Sequence, residues 1–375
     1  MSGSATKKLG VLALADPGNG GTYQYTLAML QGLQHVSGFE ITIYGNPDNP
    51  DLAAYGCPII PFGEPYARQL AALAADRLHM GLSDPFAAQD VLLAPIYSLS
   101  LLHTTKPFAY TLHDLQQVYY PKNFSAFQRA WRHQLYTRMS ARARRIICES
   151  EYVKSDIIRF YGIAGERIMV MPAPPQRQFQ TTQSDEELSS ARARLKLPER
   201  FLFYPAHFWQ HKNHLRLIEA FRDLLPEAGE VHLVLTGKPQ EAYQAAMAAV
   251  EAFGLKQRVR HLGYLEQQDI QAIYRLATAL VMPSLFESIS IPVYEAFQMG
   301  TPVAASNILA LPEQIGDAGL LFDPTSVASI KGAMLDIVNN PAAARERASR
   351  ARARMAAMTP ERYGAQLQAL LDGMA

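Results

Sequence analysis

Residues 283–303 read PSLFESISIPVYEAFQMGTPV, and this stretch decides the fold because it contains the signals for a loop, a helix and the next strand. The apolar residues 279–282 before it are typical of a short buried strand. Ser290 is suited to the N-cap of a helix, and Pro292 to its first turn, where a missing N–H is not needed. The Gly-Thr-Pro sequence that follows ends the helix. The pattern predicts a strand–loop–helix unit of an α/β domain.

Two glutamates in this stretch are candidate ligand-binding residues. Glu287 falls in the predicted loop, and Glu295 lies about one turn into the helix. The start of such a helix presents free backbone N–H groups and a positive dipole end, which favour a phosphate group. Carboxylates beside it suit hydroxyl groups, so the pair, with Ser288 and Ser290 between them, fits a sugar nucleotide. The spacing alone fits equally well a capped helix with two solvated glutamates.

The stretch resembles the E-x7-E signature of the retaining, two-domain (GT-B) glycosyltransferases of family 4, also called group 1. The resemblance extends over nearly the whole chain and is strongest over 201–324. It implies an α/β fold with two doubly wound Rossmann-like domains that face each other across a cleft. The implied parts are an N-terminal acceptor-side domain (1–172), a linker (173–199), a C-terminal nucleotide-sugar-binding domain (200–355) and a helix that crosses back to the first domain (356–375).

The resemblance also assigns roles to residues. Glu287 is expected to orient the donor sugar's hydroxyls, and Glu295 to bind the ribose hydroxyls. Lys212 matches the lysine that grips the diphosphate, while His207 stands where most members have an arginine. A neutral imidazole offers one donor and no fixed charge, so the second cationic contact has no clear counterpart. The remaining donor-binding residues implied are Gly20, Gly21, Gly237, Tyr264, Leu265, Ser288, Ile289, Ser290 and Ile291.

A glycine-containing loop follows the first predicted strand, 9–15. It reads DPGNGGT, and glycines at such a turn let a ligand approach the backbone closely. A dinucleotide-binding fingerprint would need a small residue where Tyr23 stands, and an acidic residue after the strand at 41–44, which ends in Gly-Asn. The sequence therefore disfavours an NAD-dependent oxidoreductase, and the resemblance places Gly20 and Gly21 near the cleft. A merely tight turn is the alternative.

His113 follows the predicted strand 108–112. A side chain at the carboxyl end of such a strand points towards the crevice where open α/β sheets bind ligands. A structural role in capping the loop is the alternative. In the family this histidine lies near the hydroxymethyl group of the donor sugar, so the resemblance implies a catalytic role for His113.

Metal and cofactor sites are not expected. His207, His211 and His214 invite a zinc interpretation, but no cysteine or acid joins them locally, and the chain has no Asp-x-Asp pair to hold a magnesium-bound diphosphate. We expect metal independence and no cofactor, the substrate being a nucleotide diphosphate sugar.

The composition excludes other classes. The net charge of +1 gives no basic field for nucleic acid, and two cysteines give no disulfide framework, so a reducing compartment fits best. No signal peptide or membrane-spanning run is predicted, which favours a cytoplasmic location.

The basic segment, Arg129 to Arg145, has six arginines, no acid and nearby aromatic residues. It suits peripheral contact with the inner membrane face or an anionic acceptor, or equally an ordinary amphipathic helix with solvated arginines.

Taken with the resemblance, these features predict a retaining glycosyltransferase that moves a hexose or deoxyhexose to a glycan or lipid-linked acceptor in bacterial-type polysaccharide synthesis. The HKNH sequence at 211–214 favours a GDP-mannose type donor. The alternatives are a sugar-nucleotide epimerase or a phosphorylase on the same architecture, and a non-catalytic sugar-nucleotide-binding subunit. No segment resembles a phosphorylase's cofactor site.

Overall fold

The computed structural model describes residues 6–17, 20–80, 82–175 and 183–374. The chain divides into two compact units. The N-terminal unit comprises Met1–Gln176 and Met358–Ala375, and the C-terminal unit comprises Arg177–Ala357. Each unit is built on one sheet whose strands all run parallel, joined by helical connections.

The N-terminal unit contains a seven-stranded sheet in the order β3-β2-β1-β4-β5-β6-β7. Its strands are β1 (Lys7–Ala13), β2 (Phe39–Gly45), β3 (Ile59–Pro61), β4 (Val91–Ala94), β5 (Phe108–Thr111), β6 (Arg145–Cys148) and β7 (Ile168–Val170). The helices between them are α1 (Gly21–Leu33), α2 (Pro50–Ala53), α3 (Tyr66–Arg77), α4 (Gln116–Tyr119), α5 (Ala126–Arg142) and α6 (Glu151–Tyr161).

Both faces of this sheet are buried. Alternate residues of one strand enter two different apolar clusters: Leu92 lies in one, and Val91 and Leu93 lie in the other. A parallel sheet covered on both faces is built from nearly continuous apolar strands, which the sequences of β4 and β6 provide. The doubly wound architecture predicted for this half is confirmed.

The C-terminal unit contains a six-stranded sheet in the order β10-β9-β8-β11-β12-β13. Its strands are β8 (Phe201–Pro205), β9 (His232–Thr236), β10 (Val259–His261), β11 (Ala279–Met282), β12 (Val303–Ser306) and β13 (Leu320–Phe322). Its helices are α7 (Asp185–Arg194), α8 (His214–Ala228), α9 (Tyr243–Ala252), α10 (Gln267–Leu276), α11 (Ile291–Met299), α12 (Leu311–Ile315), α13 (Val327–Asn339) and α14 (Pro341–Met355).

The last helix, α15 (Pro360–Asp372), packs in the N-terminal unit against α1. The approach is close at two glycines. A Cβ atom on Gly32 would lie 2.7 Å from Cδ1 of Tyr363, and one on Gly364 would lie 2.6 Å from the carbonyl oxygen of Gly32. The hydroxyl of Tyr363 also donates to that of Tyr25 across 3.2 Å. The end of the chain therefore completes the first unit.

Two segments differ from their sequence-based descriptions. The expected linker 173–199 contains α7, because Ser184 and Glu187 form a capping box and Leu188 packs against Ala272 of α10. Residues 176–182 of that linker lie outside the described part. The basic segment is not helical throughout: α5 ends at Arg142, and the chain then enters β6.

Candidate functional site

The carboxyl ends of β8 and β11 lie side by side in the C-terminal unit. These strands are neighbours, and the strand order changes direction between them. In open parallel sheets, ligands bind outside the carboxyl ends of the strands at such a switch point. The two loops that start there, 206–213 and 283–290, carry six of the site residues expected from the sequence: His207, Lys212, Glu287, Ser288, Ile289 and Ser290.

Helix α11 starts as predicted. The side chain of Ser290 accepts a hydrogen bond from the backbone N–H of Val293, Pro292 stands in the first turn, and Gly300 ends the helix with φ 73°. The side-chain amide of Gln314 holds Ser290 from both sides, accepting from its N–H at 2.9 Å and donating to its carbonyl at 2.7 Å. These contacts fix the start of the helix.

The amides just before this helix are available to a ligand. Within the described part of the chain, the backbone N–H groups of Ile289 and Ile291 have no hydrogen-bond acceptor. Both residues are only half-buried. An unpaired N–H pair at the positive end of a helix is suited to hold a phosphate oxygen.

Lys212 and Glu287 form an ion pair at this place. The Nζ atom of Lys212 lies 2.6 Å from Oε1 of Glu287, and the two side chains are 20% and 8% exposed. The sequence placed both residues in a ligand site but did not predict that they bind each other. Because the pair is largely removed from water, the contact between the charges is strong, and an anion that approached the lysine would have to compete with Glu287.

Asn213 holds the lysine-bearing loop. Its side-chain amide donates to the carbonyls of Pro283, at 2.9 Å, and Pro324, at 2.8 Å, which ties three strand-end loops together. Asparagine is a common N-cap residue, and Asn213 occupies the N-cap position of α8. In the described part of the chain it does so with φ 61° and without a side-chain cap bond. The backbone of Lys212 is fixed as well, since its carbonyl accepts from the hydroxyl of Tyr204 at 2.9 Å.

Glu295 lies on the first turns of α11 and is buried. Its Oε2 atom accepts a hydrogen bond of 2.8 Å from the hydroxyl of Tyr274 on α10. Burial raises the pKa of Glu295 to about 7, although the tyrosine hydroxyl works in the opposite direction by stabilising the carboxylate. No contact in the described residues engages Oε1, so this oxygen is available to a hydroxyl group. Sequence reasoning had not identified Tyr274.

A second cation lies near His207. The Nδ1 atom of His207 accepts from the backbone N–H of Lys238 at 2.9 Å, and burial, followed by the charges of Lys238 and Lys212, lowers the pKa of the imidazole. The Nζ atom of Lys238 lies 4.9 Å from the ring centre of Tyr264, which is 69% exposed. A lysine directly after the glycine that follows β9 is the sequence signal that was overlooked.

Gly237 and Leu265 belong to the loops around this lysine. Gly237 has φ 119°, and a Cβ atom there would lie 2.4 Å from the carbonyl oxygen of Ala206. Only glycine fits this position, which lets the loops after β8 and β9 approach each other. Leu265 is half-buried and follows the exposed ring of Tyr264.

The remaining histidines of the 207–214 segment, His211 and His214, are packed against the protein interior. The ring of His214 stacks on that of Phe208 with 4.1 Å between centres, and burial lowers its pKa to about 3. Burial likewise lowers the pKa of His211 to about 4. Across the described ranges, no group of three histidine, cysteine, aspartate or glutamate side chains is arranged to hold a metal ion.

In the N-terminal unit, His113 joins three neighbouring strand ends. It follows β5, its Nδ1 atom lies 2.9 Å from Oε2 of Glu149 after β6, and its Nε2 atom lies 2.8 Å from the carbonyl oxygen of Pro95 after β4. Burial alone would lower the pKa of His113, but these two acceptors and Asp114 outweigh it and raise the pKa. Glu149 was not identified from the sequence, although an acid directly after the apolar run of β6 is a usable signal.

Gly20 and Gly21 stand at the start of α1. Gly20 is the N-cap residue with φ 57°, which a glycine adopts without strain, and Gly21 is the first helical residue. Gly18 and Asn19, which belong to the same predicted loop, lie outside the described residues. A cavity of about 290 Å³ lies at the carboxyl ends of β1 to β3 and is lined in part by Asp16 and Glu64.

The basic segment is largely tied to its own unit. Arg138 and Arg142 both contact Asp76 of α3, and Arg129 donates to the carbonyl of Phe124 at 2.8 Å. The aromatic ring of Phe127 is 60% exposed. None of the helices in the described part of the chain combines the length and apolar character needed to cross a membrane.

Comparisons with known proteins give the family. A model described as "Glycosyltransferase Family 4" matches residues 19–174, and one described as "Glycosyl transferases group 1" matches residues 185–355. The O-antigen chain mannosyltransferase B of Escherichia coli is 27% identical over 241 residues, which is 63% of this chain and 62% of that protein. The serotype-specific mannosyltransferase WbdA of Escherichia coli is 30% identical over 55% of this chain, but that match spans only 26% of WbdA.

Among solved structures, that of Anabaena Alr3699/HepE in complex with UDP-glucose is similar with a TM-score of 0.78. Its sequence identity is 17%, and the similarity covers 98% of this chain and 99% of HepE. At this identity the likeness concerns the fold. Two parallel Rossmann-like sheets with polar residues at their carboxyl ends define a protein of the GT-B class. The chain belongs to the group 1, or family 4, glycosyltransferases. The resemblance and the fold class predicted from the sequence are both confirmed.

Proposed function

We propose that the protein is a glycosyltransferase that takes a sugar from a nucleotide diphosphate donor bound by the C-terminal unit. The observation that carries the proposal is the arrangement of Lys212 and Glu287, paired at 2.6 Å, beside the unpaired amides at the start of α11. The lysine and the free N–H donors match a diphosphate. The second carboxylate oxygen of Glu287 is available to the hydroxyl groups of a polyol joined to the diphosphate.

The proposed roles combine these contacts with the roles that the family resemblance implies. Lys212, Lys238 and the amides of Ile289 and Ile291 stabilise the charge on the departing diphosphate, which is the main electrostatic demand of the reaction. His207, held as an acceptor by Lys238, contributes one N–H donor. Glu295 binds the ribose hydroxyls and Glu287 those of the donor sugar. In the N-terminal unit, His113 is proposed to position the sugar.

The donor and acceptor are proposed from the relatives. Two O-antigen or serotype-specific mannosyltransferases are similar over more than half of this chain, which supports a mannose-type donor with GDP and a glycan acceptor in O-antigen synthesis. HepE binds UDP-glucose, so UDP is the competing nucleotide. Retention of configuration, metal independence, and membrane contact by the basic segment remain parts of this proposal.

The first experiment measures nucleotide preference. Thermal unfolding of the purified chain is followed with UDP, GDP, TDP and ADP, where a ligand at 100 times its Kd stabilises by about 2.7 kcal/mol. GDP is expected to give the largest shift. Release of the nucleoside diphosphate from the matching sugar donors then measures turnover, with and without EDTA, and NMR of the product gives its anomeric configuration.

Two variants separate an enzyme from a sugar-nucleotide binder. Lys212→Ala should weaken binding of the diphosphate by about 1.5–3 kcal/mol, the usual worth of a hydrogen bond to a charged group. Glu287→Ala should reduce transfer by about 100-fold or more while the nucleotide still binds. A wild-type chain that binds a nucleotide sugar but transfers nothing to any glycan acceptor would contradict the proposed activity.

A further inference from the structure

We propose that the N-terminal unit has a separate binding pocket for a phosphate group, at the sheet edge opposite His113. The pocket has a volume of about 650 Å³ and lies where β5, β6 and β7 begin. Five cations line it, Lys106, Arg142, Arg144, Arg145 and Arg167, together with one acid, Glu166. His113 lies five residues along from the start of β5, roughly 16 Å away at the rise of a strand.

The charges around the pocket are poorly neutralised. Arg142 forms an ion pair with Asp76 at 3.3 Å, but Asp76 also pairs with Arg138. The guanidinium group of Arg145 donates to the carbonyl of Glu166 at 2.7 Å, and a carbonyl does not cancel the positive charge. The side chains of Lys106 and Arg144 make no hydrogen bond or ion pair with the described part of the chain. The pocket therefore keeps an excess of positive charge.

Capping of α5 is the ordinary explanation for basic residues at this place, because the carbonyls that end a helix attract cations. Arg167 has this role, since it donates to the carbonyl of Ser140 at 2.7 Å and also to that of Ala143. Lys106 and Arg144 take no part in it. Like charges gathered without such a role repel one another, and a bound anion would relieve that repulsion.

Phosphate is the ligand chemistry that fits best. Guanidinium groups present paired N–H donors that match two phosphate oxygens, and an ammonium group adds a mobile point charge. The volume exceeds that of a phosphate ion alone, so a phosphate ester also fits. The same chemistry has two sources, a soluble phosphate compound and the headgroup of an anionic lipid, and the experiment distinguishes them.

The test uses the double variant K106Q/R144Q, which removes the two cations whose side chains make no hydrogen bond or ion pair with the described residues. Its control is R345Q/R352Q, which makes the same charge change at two exposed positions of α14. All proteins carry Lys212→Ala, so that phosphate binding at the candidate active site is suppressed. Calorimetric titration with inorganic phosphate probes the soluble source. Cosedimentation with phosphatidylcholine vesicles, with and without phosphatidylglycerol, probes the lipid source. Thermal unfolding confirms that each variant is folded.

We expect K106Q/R144Q to bind its ligand about tenfold or more weakly than the control. A loss confined to inorganic phosphate supports the pocket with a soluble ligand. A loss of binding to phosphatidylglycerol vesicles supports it with a lipid headgroup. Equal binding by the variant and the control, or binding of neither probe by the parent protein, overturns the proposal. None of these outcomes depends on glycosyl transfer, so the pocket and the proposed activity are tested separately.

Discussion

Lys212 and Glu287 are bound to each other at 2.6 Å, although 75 residues separate them. An anion that binds Lys212 must therefore compete with a carboxylate that is already in place. Loss of the Glu287 charge is therefore expected to strengthen binding of an anionic ligand.

Replacing Glu287 with Gln frees Lys212 and removes a negative charge beside the diphosphate. We expect the affinity for the nucleoside diphosphate to rise by about three- to tenfold, while transfer falls by about 100-fold or more. Calorimetry and a turnover assay measure the two effects. Glu219→Gln on α8 is the control, because it makes the same charge change at a residue whose side chain has no polar contact with the described part of the chain. Equal affinities of the two variants would show that Glu287 does not compete for the lysine.

The raised pKa of Glu295 predicts a dependence of stability on pH. Burial shifts the pKa from 4.5 to about 7, so the folded chain holds a proton that the unfolded chain releases. Stability from this group is complete below pH 4.5 and is lost as the pH rises to about 7. Glu295→Gln should remove this loss. Chemical denaturation of both proteins across this range measures it, and parallel curves would contradict the assignment.

Nucleotide binding should show the reverse trend. In the proposed role, Glu295 accepts from the ribose hydroxyls in its carboxylate form, so the affinity of the wild type should rise as the pH passes through about 7, with release of a proton. Calorimetry in buffers with different ionisation enthalpies counts that proton. Because the phosphates titrate in both proteins, Glu295→Gln is the control for their contribution, and it should show a flatter profile.

Asn213 offers a test of what holds the Lys212 loop. Asn213→Gly keeps the positive φ but loses the bonds to Pro283 and Pro324, whereas Asn213→Ala loses the bonds and also strains the backbone. We expect the alanine variant to be about 1–2 kcal/mol less stable than the glycine variant, the cost of a left-handed non-glycine residue. Both should bind the nucleotide more weakly. Normal affinity in the glycine variant would show that other contacts suffice to place the lysine.

The His113–Glu149 pair predicts a second pH effect, in the N-terminal unit. Two acceptors face the ring nitrogens, so the folded state favours the doubly protonated imidazole and the pKa lies above 6.5. The pair's contribution is complete below pH 6.5 and is lost as the pH rises through the higher folded value. Glu149→Gln should lower the pKa of His113, as followed by NMR, and should destabilise the chain by about 2 kcal/mol in mild acid. A pKa unchanged by the substitution would contradict the pairing.

Local signals account for the part of the site that the sequence predicted. The loop with Glu287 and the helix with Glu295 are specified by Ser290, Pro292 and Gly300, which act within a few residues of their own positions. The Rossmann-like sheets follow from short apolar strands separated by helical segments. Such patterns depend on neighbours in sequence, so one chain suffices to read them.

Contacts between distant residues account for what was missed. The partners of Lys212, His113 and Glu295 lie 75, 36 and 21 residues away and are brought close by the strand order and the helix packing. The contact between Lys238 and His207 cannot be predicted from their spacing in the sequence, because the two residues lie in different strand-end loops. The helix α7 was missed for another reason: its surroundings are polar, and only its capping box distinguishes it from a linker.

Because α15 packs against α1, the N-terminal unit is completed only after the C-terminal unit has been synthesised. Tyr363, Leu367 and Leu371 enter the same apolar cluster as Met29 and Leu33. During synthesis, the N-terminal unit emerges from the ribosome with that surface uncovered, and it stays so while the whole C-terminal unit is being translated. The apolar surface that α15 covers is therefore exposed until that helix has been made, and during this interval the nascent chain is a natural client for chaperones.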